Sequence, residues 1–225
     1  MDMEHATRSS GPIPARAFAW VSGIAGFLAG AFLLGFFALD SYGVRLAGVS
    51  LGHLNDILGA VQFAALAPVA WALGRRLPAT RTVRVATVVA VAASVAFVVL
   101  SVLLIAGTWE FSQQIGPVIV TIVAIYGWLL VVNLVGHRTR TLPRAVTRTG
   151  VLFAVALLTG LVLAGAGYVL PGVVGQGVTW LGYGLGMVGW LGLPPYVLLL
   201  ALRVFPHSSS TAGSTAAQPL QKVRS

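Results

Sequence analysis

Residues 81–107 read RTVRVATVVAVAASVAFVVLSVLLIAG. After Arg84 no charged residue occurs until Glu110. The uncharged run Val85–Gly107 is 23 residues long, and a helix needs about 20 apolar residues to cross a hydrocarbon core about 30 Å thick. A stretch that long and that free of charge reads as a membrane span.

Working outward, five more runs share its character: Ala17–Leu39, Ile57–Gly74, Ile115–Gly136, Thr149–Leu170 and Val178–Leu202. The second is the shortest, and Ser50–Leu54 can extend it. The connections are short, so consecutive spans are expected to pack as antiparallel hairpins. The composition agrees. Of 225 residues, 57% are hydrophobic and 8% charged, whereas a soluble domain carries about 25% charge. Neither a water-soluble globule nor a disordered chain can be built from so few charges. The expected fold class is therefore all-α: a polytopic membrane protein with a bundle of six transmembrane helices. The expected organisation is an N-terminal segment over residues 1–16, the helical domain over 17–205 and a disordered tail over 206–225. The first run is too long for the apolar core of a cleavable signal peptide, about 7–15 residues, and reads as a span that also directs insertion.

The arginines orient the bundle. Arg8 and Arg16 precede the first span. Arg75, Arg76, Arg81 and Arg84 lie between the second and third. Arg138, Arg140, Arg144 and Arg148 lie between the fourth and fifth, and Arg203, Lys222 and Arg224 follow the sixth. All share one side, and Arg45 alone stands on the other with Asp40, Asp56 and Glu110. The positive-inside rule makes the basic side cytoplasmic and puts both termini there. This basic surface is expected to contact anionic lipid headgroups of the cytoplasmic leaflet rather than nucleic acid. The expected location is the plasma membrane. Arginine far outnumbers lysine, and Ala, Gly and Val dominate, a bias that points to a GC-rich bacterial genome.

Aromatic side chains are expected at the interfaces: Tyr42, Trp109, Tyr168 and Trp180 at the outer one, Trp20, Trp71 and Tyr196 at the inner one. Trp128 and Trp190 are expected inside the bundle. The two inner loops share a design, Arg-Arg-Leu-Pro from Arg75 and Thr-Leu-Pro-Arg from Thr141, in which proline ends a helix and arginine anchors it at the phosphates.

The chain contains no cysteine and four histidines, which excludes thiol chemistry and leaves no metal site expected. No Walker glycine loop or HExxH occurs, and the sequence names no cofactor and no catalytic residue. The candidate ligand-binding residues are His53, Asn55, Asp56 and Gln62 at the outer end of the second span, with Glu110 in the next outer loop. A histidine beside a carboxylate suits proton transfer or a polar ligand. The structural alternative is that Asn55 or Asp56 caps the helix. Gln62, two turns inside, is expected to hydrogen-bond across helices. Glu110, together with Asp40 and Asp56, makes an acidic outer mouth. Asn133 and His137 stand at the inner end of the fourth span, His137 among arginines at the interface. His5 and His207 fall in the terminal segments.

A second group concerns packing and hinging. Gly26 and Gly30, like Gly182 and Gly186, form GxxxG, which lets backbones approach closely, either within the bundle or in a homo-oligomer or complex with a partner membrane protein. Pro194 and Pro195 remove two backbone donors from the sixth span and free carbonyls there.

Two stretches carry a likeness. One is Ala15-Arg16-Ala17 running into a glycine-rich span. The other is Leu58-Gly59-Ala60 with Leu66-Ala67-Pro68-Val69 and Leu77. The chain resembles a family of uncharacterised bacterial six-helix integral membrane proteins, classified as a domain of unknown function. The resemblance implies the architecture and carries over no catalytic residues. Three functional readings are open: a protein binding a small hydrophobic ligand or a partner helix within the bundle, near the outer half between the second and sixth spans; a small transporter or permease subunit; or an intramembrane enzyme using a carboxylate on a lipid or isoprenoid.

Overall fold

The computed structural model describes residues 15–39 and 44–205. The expectations for Asp40, Tyr42, His5, His207 and most of the two terminal segments lie outside the described residues. Six helices follow one another: α1 Ala15–Leu39, α2 Leu51–Arg76, α3 Arg81–Ile105, α4 Phe111–Arg138, α5 Arg144–Val169 and α6 Gly172–Arg203. All six are long and apolar enough to cross a membrane. The chain is an all-α, multi-pass membrane protein.

The helices extend the apolar runs at their ends because polar residues start and stop them. Thr80 caps α3, its Oγ1 accepting from the Val83 N–H at 3.3 Å. Pro143 and Pro171 stand immediately before α5 and α6, where a missing N–H is not needed. α3 and α4 both end in a Schellman turn, which satisfies orphan carbonyls of the last turn. After α3 the left-handed residue is Gly107 (φ 68°), and the Thr108 N–H reaches the Leu103 carbonyl at 3.1 Å. After α4 it is Arg140 (φ 55°), and the Thr141 N–H reaches the Gly136 carbonyl at 3.1 Å. The α1–α2 connection holds a small hairpin, β1 Arg45–Leu46 and β2 Val49–Ser50. Arg45 pairs with Ser50 and Leu46 with Val49. Its turn residues Ala47 and Gly48 both have positive φ, as a two-residue turn matching strand twist requires.

Each helix packs against its neighbours in sequence, and α1 also packs on α6, which closes the ring. The middle is filled by α6. Its Trp190 ring lies 6.0 Å from Phe63 of α2 and 6.5 Å from Phe97 of α3, and those two rings are 4.0 Å apart. Trp128 is buried as expected and Trp190 half-buried. Trp109, Tyr168 and Trp180 are exposed near the helix ends opposite the arginine-rich turns. Tyr196 departs from expectation: it is fully buried in the bundle rather than at the inner interface.

The helices are inside-out by the standard of a soluble protein. On α3 the polar Thr87, Ser94 and Ser101 repeat every seventh residue and are all buried, while Val85, Val88, Val95, Val99 and Val102 are exposed. Hydrocarbon solvates valine, whereas a buried hydroxyl depends on a partner within the bundle: Ser94 Oγ donates to the Ala90 carbonyl at 2.8 Å, while Thr87 Oγ1 is buried without one. At the arginine-rich end, the α2–α3 and α4–α5 turns each tuck a leucine, Leu77 and Leu142, under the bundle ahead of their prolines. There Arg76 donates to the Val204 carbonyl and lies 4.8 Å over the Phe205 ring, tying the end of α2 to the end of α6.

Candidate functional site

The polar end of α2 does not cap itself as expected. Ser50 is the N-cap, its Oγ accepting from the His53 N–H at 3.2 Å. The helix therefore starts at Leu51, which leaves Asn55 and Asp56 in its second turn rather than at the cap. Ser50 wins because it alone has the extended backbone (ψ 150°) that a cap adopts. His53 is exposed, its Nδ1 3.2 Å from Ser50 Oγ. Asn55 Nδ2 donates to Asp56 Oδ1 at 3.2 Å, and both residues are half-buried.

Glu110 belongs to a different place. It is the N-cap residue of α4, and Gln113 Oε1 accepts its N–H at 3.0 Å. α3 stands between α2 and α4 in the ring, and no hydrogen bond joins Glu110 to the described α2 cluster. Among the described residues no three His, Asp or Glu side chains group as metal ligands do.

Gln62 is buried at mid-helix, but the cross-helix bond at this position is not made by its carboxamide. Ser22 Oγ of α1 donates to the Gln62 backbone carbonyl at 2.9 Å. The carboxamide packs against α1 and α6 instead. A Cβ added at Gly26 would lie 2.7 Å from Gln62 Cδ and 2.8 Å from Pro194 Cγ. One half of the α1 GxxxG pair is thus the seat for Gln62 and the proline break, and Gly30 faces Leu191 in the same way, at 2.8 Å. Of the α6 pair, Gly182 is used likewise, a Cβ there lying 2.7 Å from the Gly160 carbonyl oxygen, whereas one on Gly186 would meet nothing within 4 Å. A Cβ at Gly160 of α5 would lie 2.7 Å from the Gly182 carbonyl oxygen and run into the Gly186 N–H. Both motifs serve packing between helices of this chain.

The tandem proline is bridged from α4. Pro194 cannot donate to the Trp190 carbonyl. Tyr126 Oη donates to the Gly189 carbonyl at 3.0 Å and lies 3.5 Å from that of Trp190. Two turns along α4, Asn133 Nδ2 donates to Tyr196 Oη at 2.9 Å and to the Leu129 carbonyl at 2.8 Å. Tyr126, Asn133 and Tyr196 are all fully buried. α4 therefore holds α6 on both sides of its weakest point. The sequence carried a signal for this clamp: Tyr126 and Asn133 are seven residues apart and so share a face of α4.

A groove of about 510 Å³ opens between α4 and α5 near the arginine-rich end. Leu134 of α4 and Val151, Leu152 and Val155 of α5 form its trough. His137, Thr147 and Arg148 form its head. The α5 residues Arg148, Val151, Leu152 and Val155 follow i, i+3, i+4, i+7 spacing, one face of a helix. From Arg148 to Val155 the trough is about 10 Å long at 1.5 Å per residue. Thr147 Oγ1 donates to the Arg144 carbonyl at 3.0 Å and lies 3.4 Å from His137 Nδ1. His137 is held in place by the Schellman turn, its carbonyl accepting the Arg140 N–H at 3.3 Å. A second groove, about 420 Å³, lies at the α5–α6 turn beside Tyr168, Trp180 and Tyr183. Sequence reasoning gave Arg148 a topological role and the three α5 trough residues none. No protein-family model, curated protein or solved structure matches the chain.

Proposed function

We propose that this multi-pass protein binds a small amphiphilic ligand taken sideways from the bilayer, and that the α4–α5 groove holds it. The arginine-rich end is read as cytoplasmic, both termini with it, in a bacterial plasma membrane. One observation carries the reading. The groove joins an apolar trough on lipid-facing helix surface to a polar head of His137, Thr147 and Arg148, and its volume falls within the range of about 300–1,000 Å³ typical of ligand sites. The seam between α2 and α6 offers less, because the Gln62 side chain is already seated against Gly26 and Pro194.

Binding is favoured over transport and catalysis on the same grounds. The transport reading draws on Pro194 and Pro195, and there Tyr126 and Asn133 brace α6. The enzymatic reading draws on Asp56 and Glu110, which stand on helices separated by α3. Native mass spectrometry of protein purified in mild detergent tests the proposal. Wild-type protein is expected to carry one amphiphile per chain, and Val155→Trp, which fills the trough, to lose it. Bulk lipid alone on wild-type protein, or an unchanged adduct on the variant, would contradict the reading.

A further inference from the structure

We propose that the ligand of the α4–α5 groove is a lipid carrying a phosphate monoester, bound with its phosphate between Arg148 and His137. This rests on the groove being a binding site and adds the headgroup chemistry. The first argument is the donor set. The guanidinium is a planar fork of N–H donors matched to phosphate oxygens. No acidic side chain lines the groove, so the ammonium of a zwitterionic headgroup finds no partner there.

The second argument is the histidine. The single proton of Thr147 Oγ1 goes to the Arg144 carbonyl, so toward His137 that oxygen acts as acceptor. Nδ1 then carries the hydrogen, and Nε2 is left free on the opposite edge of the ring. A free Nε2 beside a phosphate is best used by one proton shared between them. A phosphate monoester, whose second ionisation lies near about pH 6, brings such a proton. A phosphodiester such as a glycerol headgroup has none.

The third argument is local electrostatics. Arg144 and Arg148 are like charges at i, i+4 in the first two turns of α5. The helix dipole is already positive there, so both placements are unfavourable until an anion arrives.

The test uses the full chain in phosphatidylcholine nanodiscs doped with a diacylglycerol phosphate monoester or with phosphatidylglycerol, read by native mass spectrometry after detergent exchange. The monoester is expected to be retained about tenfold or more over the diester, as one added charge-assisted hydrogen bond implies. Arg148→Gln should bring retention of the monoester down to that of phosphatidylcholine. Thr147→Val, which releases the ring, should lower the monoester-to-diester ratio. Arg140→Gln, outside the groove, should change neither, which separates the site from general loss of positive charge. Equal retention of both anionic lipids would overturn the headgroup inference and leave the groove as a lipid site. Retention of no lipid of any class would overturn the groove reading itself. Displacement of the bound lipid by millimolar inorganic phosphate would overturn the joint role of trough and head.

Discussion

The two sides of α5 make different seams. Toward α6, Gly160 lets the backbones touch, and Gly182 and Gly186 receive it. Toward α4, Val151, Leu152 and Val155 line the seam with branched side chains, and a groove of about 510 Å³ stays open. Lipid tails are as apolar as leucine, so no hydrophobic force closes a seam in the bilayer; contact depends on how closely backbones fit. Small residues close one side, and branched residues leave the other open.

The largest effect should come from breaking the closed seam. Gly160→Leu drives a side chain into the Gly186 backbone and should cost about 3 kcal/mol, the upper range for overpacking, read as a large fall in Tm in detergent. If Tm barely moves, the α5–α6 contact is not what holds the hairpin. Asn133→Leu removes the bonds to Tyr196 and the Leu129 carbonyl and should cost about 1–2 kcal/mol. Tyr126→Phe should cost about 0.6 kcal/mol, the average for one hydrogen bond inside a membrane protein. A double-mutant cycle sharpens this, since bracing of one proline break from both sides predicts coupling between the two changes. Arg140→Gly relieves a left-handed residue beside the groove and should raise stability by about 0.5–1 kcal/mol; a loss would show that the arginine side chain contributes more than its backbone costs. The smallest stability effect belongs to the open seam. Val155→Trp should stay within about 0.5 kcal/mol of wild type while abolishing the retained ligand, and parallel loss of fold and ligand would mean that the groove is a packing feature.

What was legible in the sequence follows the same division. Charge-free runs such as Val85–Gly107 reveal spans because the cost of burying a charge in lipid is written into composition. Ser50 shows the limit of local reading: the expected caps are Asn55 or Asp56, whereas the extended backbone of a cap lies at Ser50 and the helix starts a turn earlier. Gln62 was placed correctly inside the bundle, but its contacts depend on Gly26 and Pro194, which are remote in sequence. The groove was the least legible. It is defined by space between two helices, and Arg148 looks the same in sequence whether it anchors a loop or heads a site. The i, i+3, i+4, i+7 run below Thr147 becomes informative only once α4 is known to stand off from it.

The most direct test of the central claim is photo-crosslinking with a lipid that carries a diazirine in its acyl chain, followed by peptide mapping. Labels concentrated on Leu134 and on Val151–Val155 are the predicted result. Labels on α2 and α6 beside Gln62 and Pro194, or spread evenly around the ring, would contradict it.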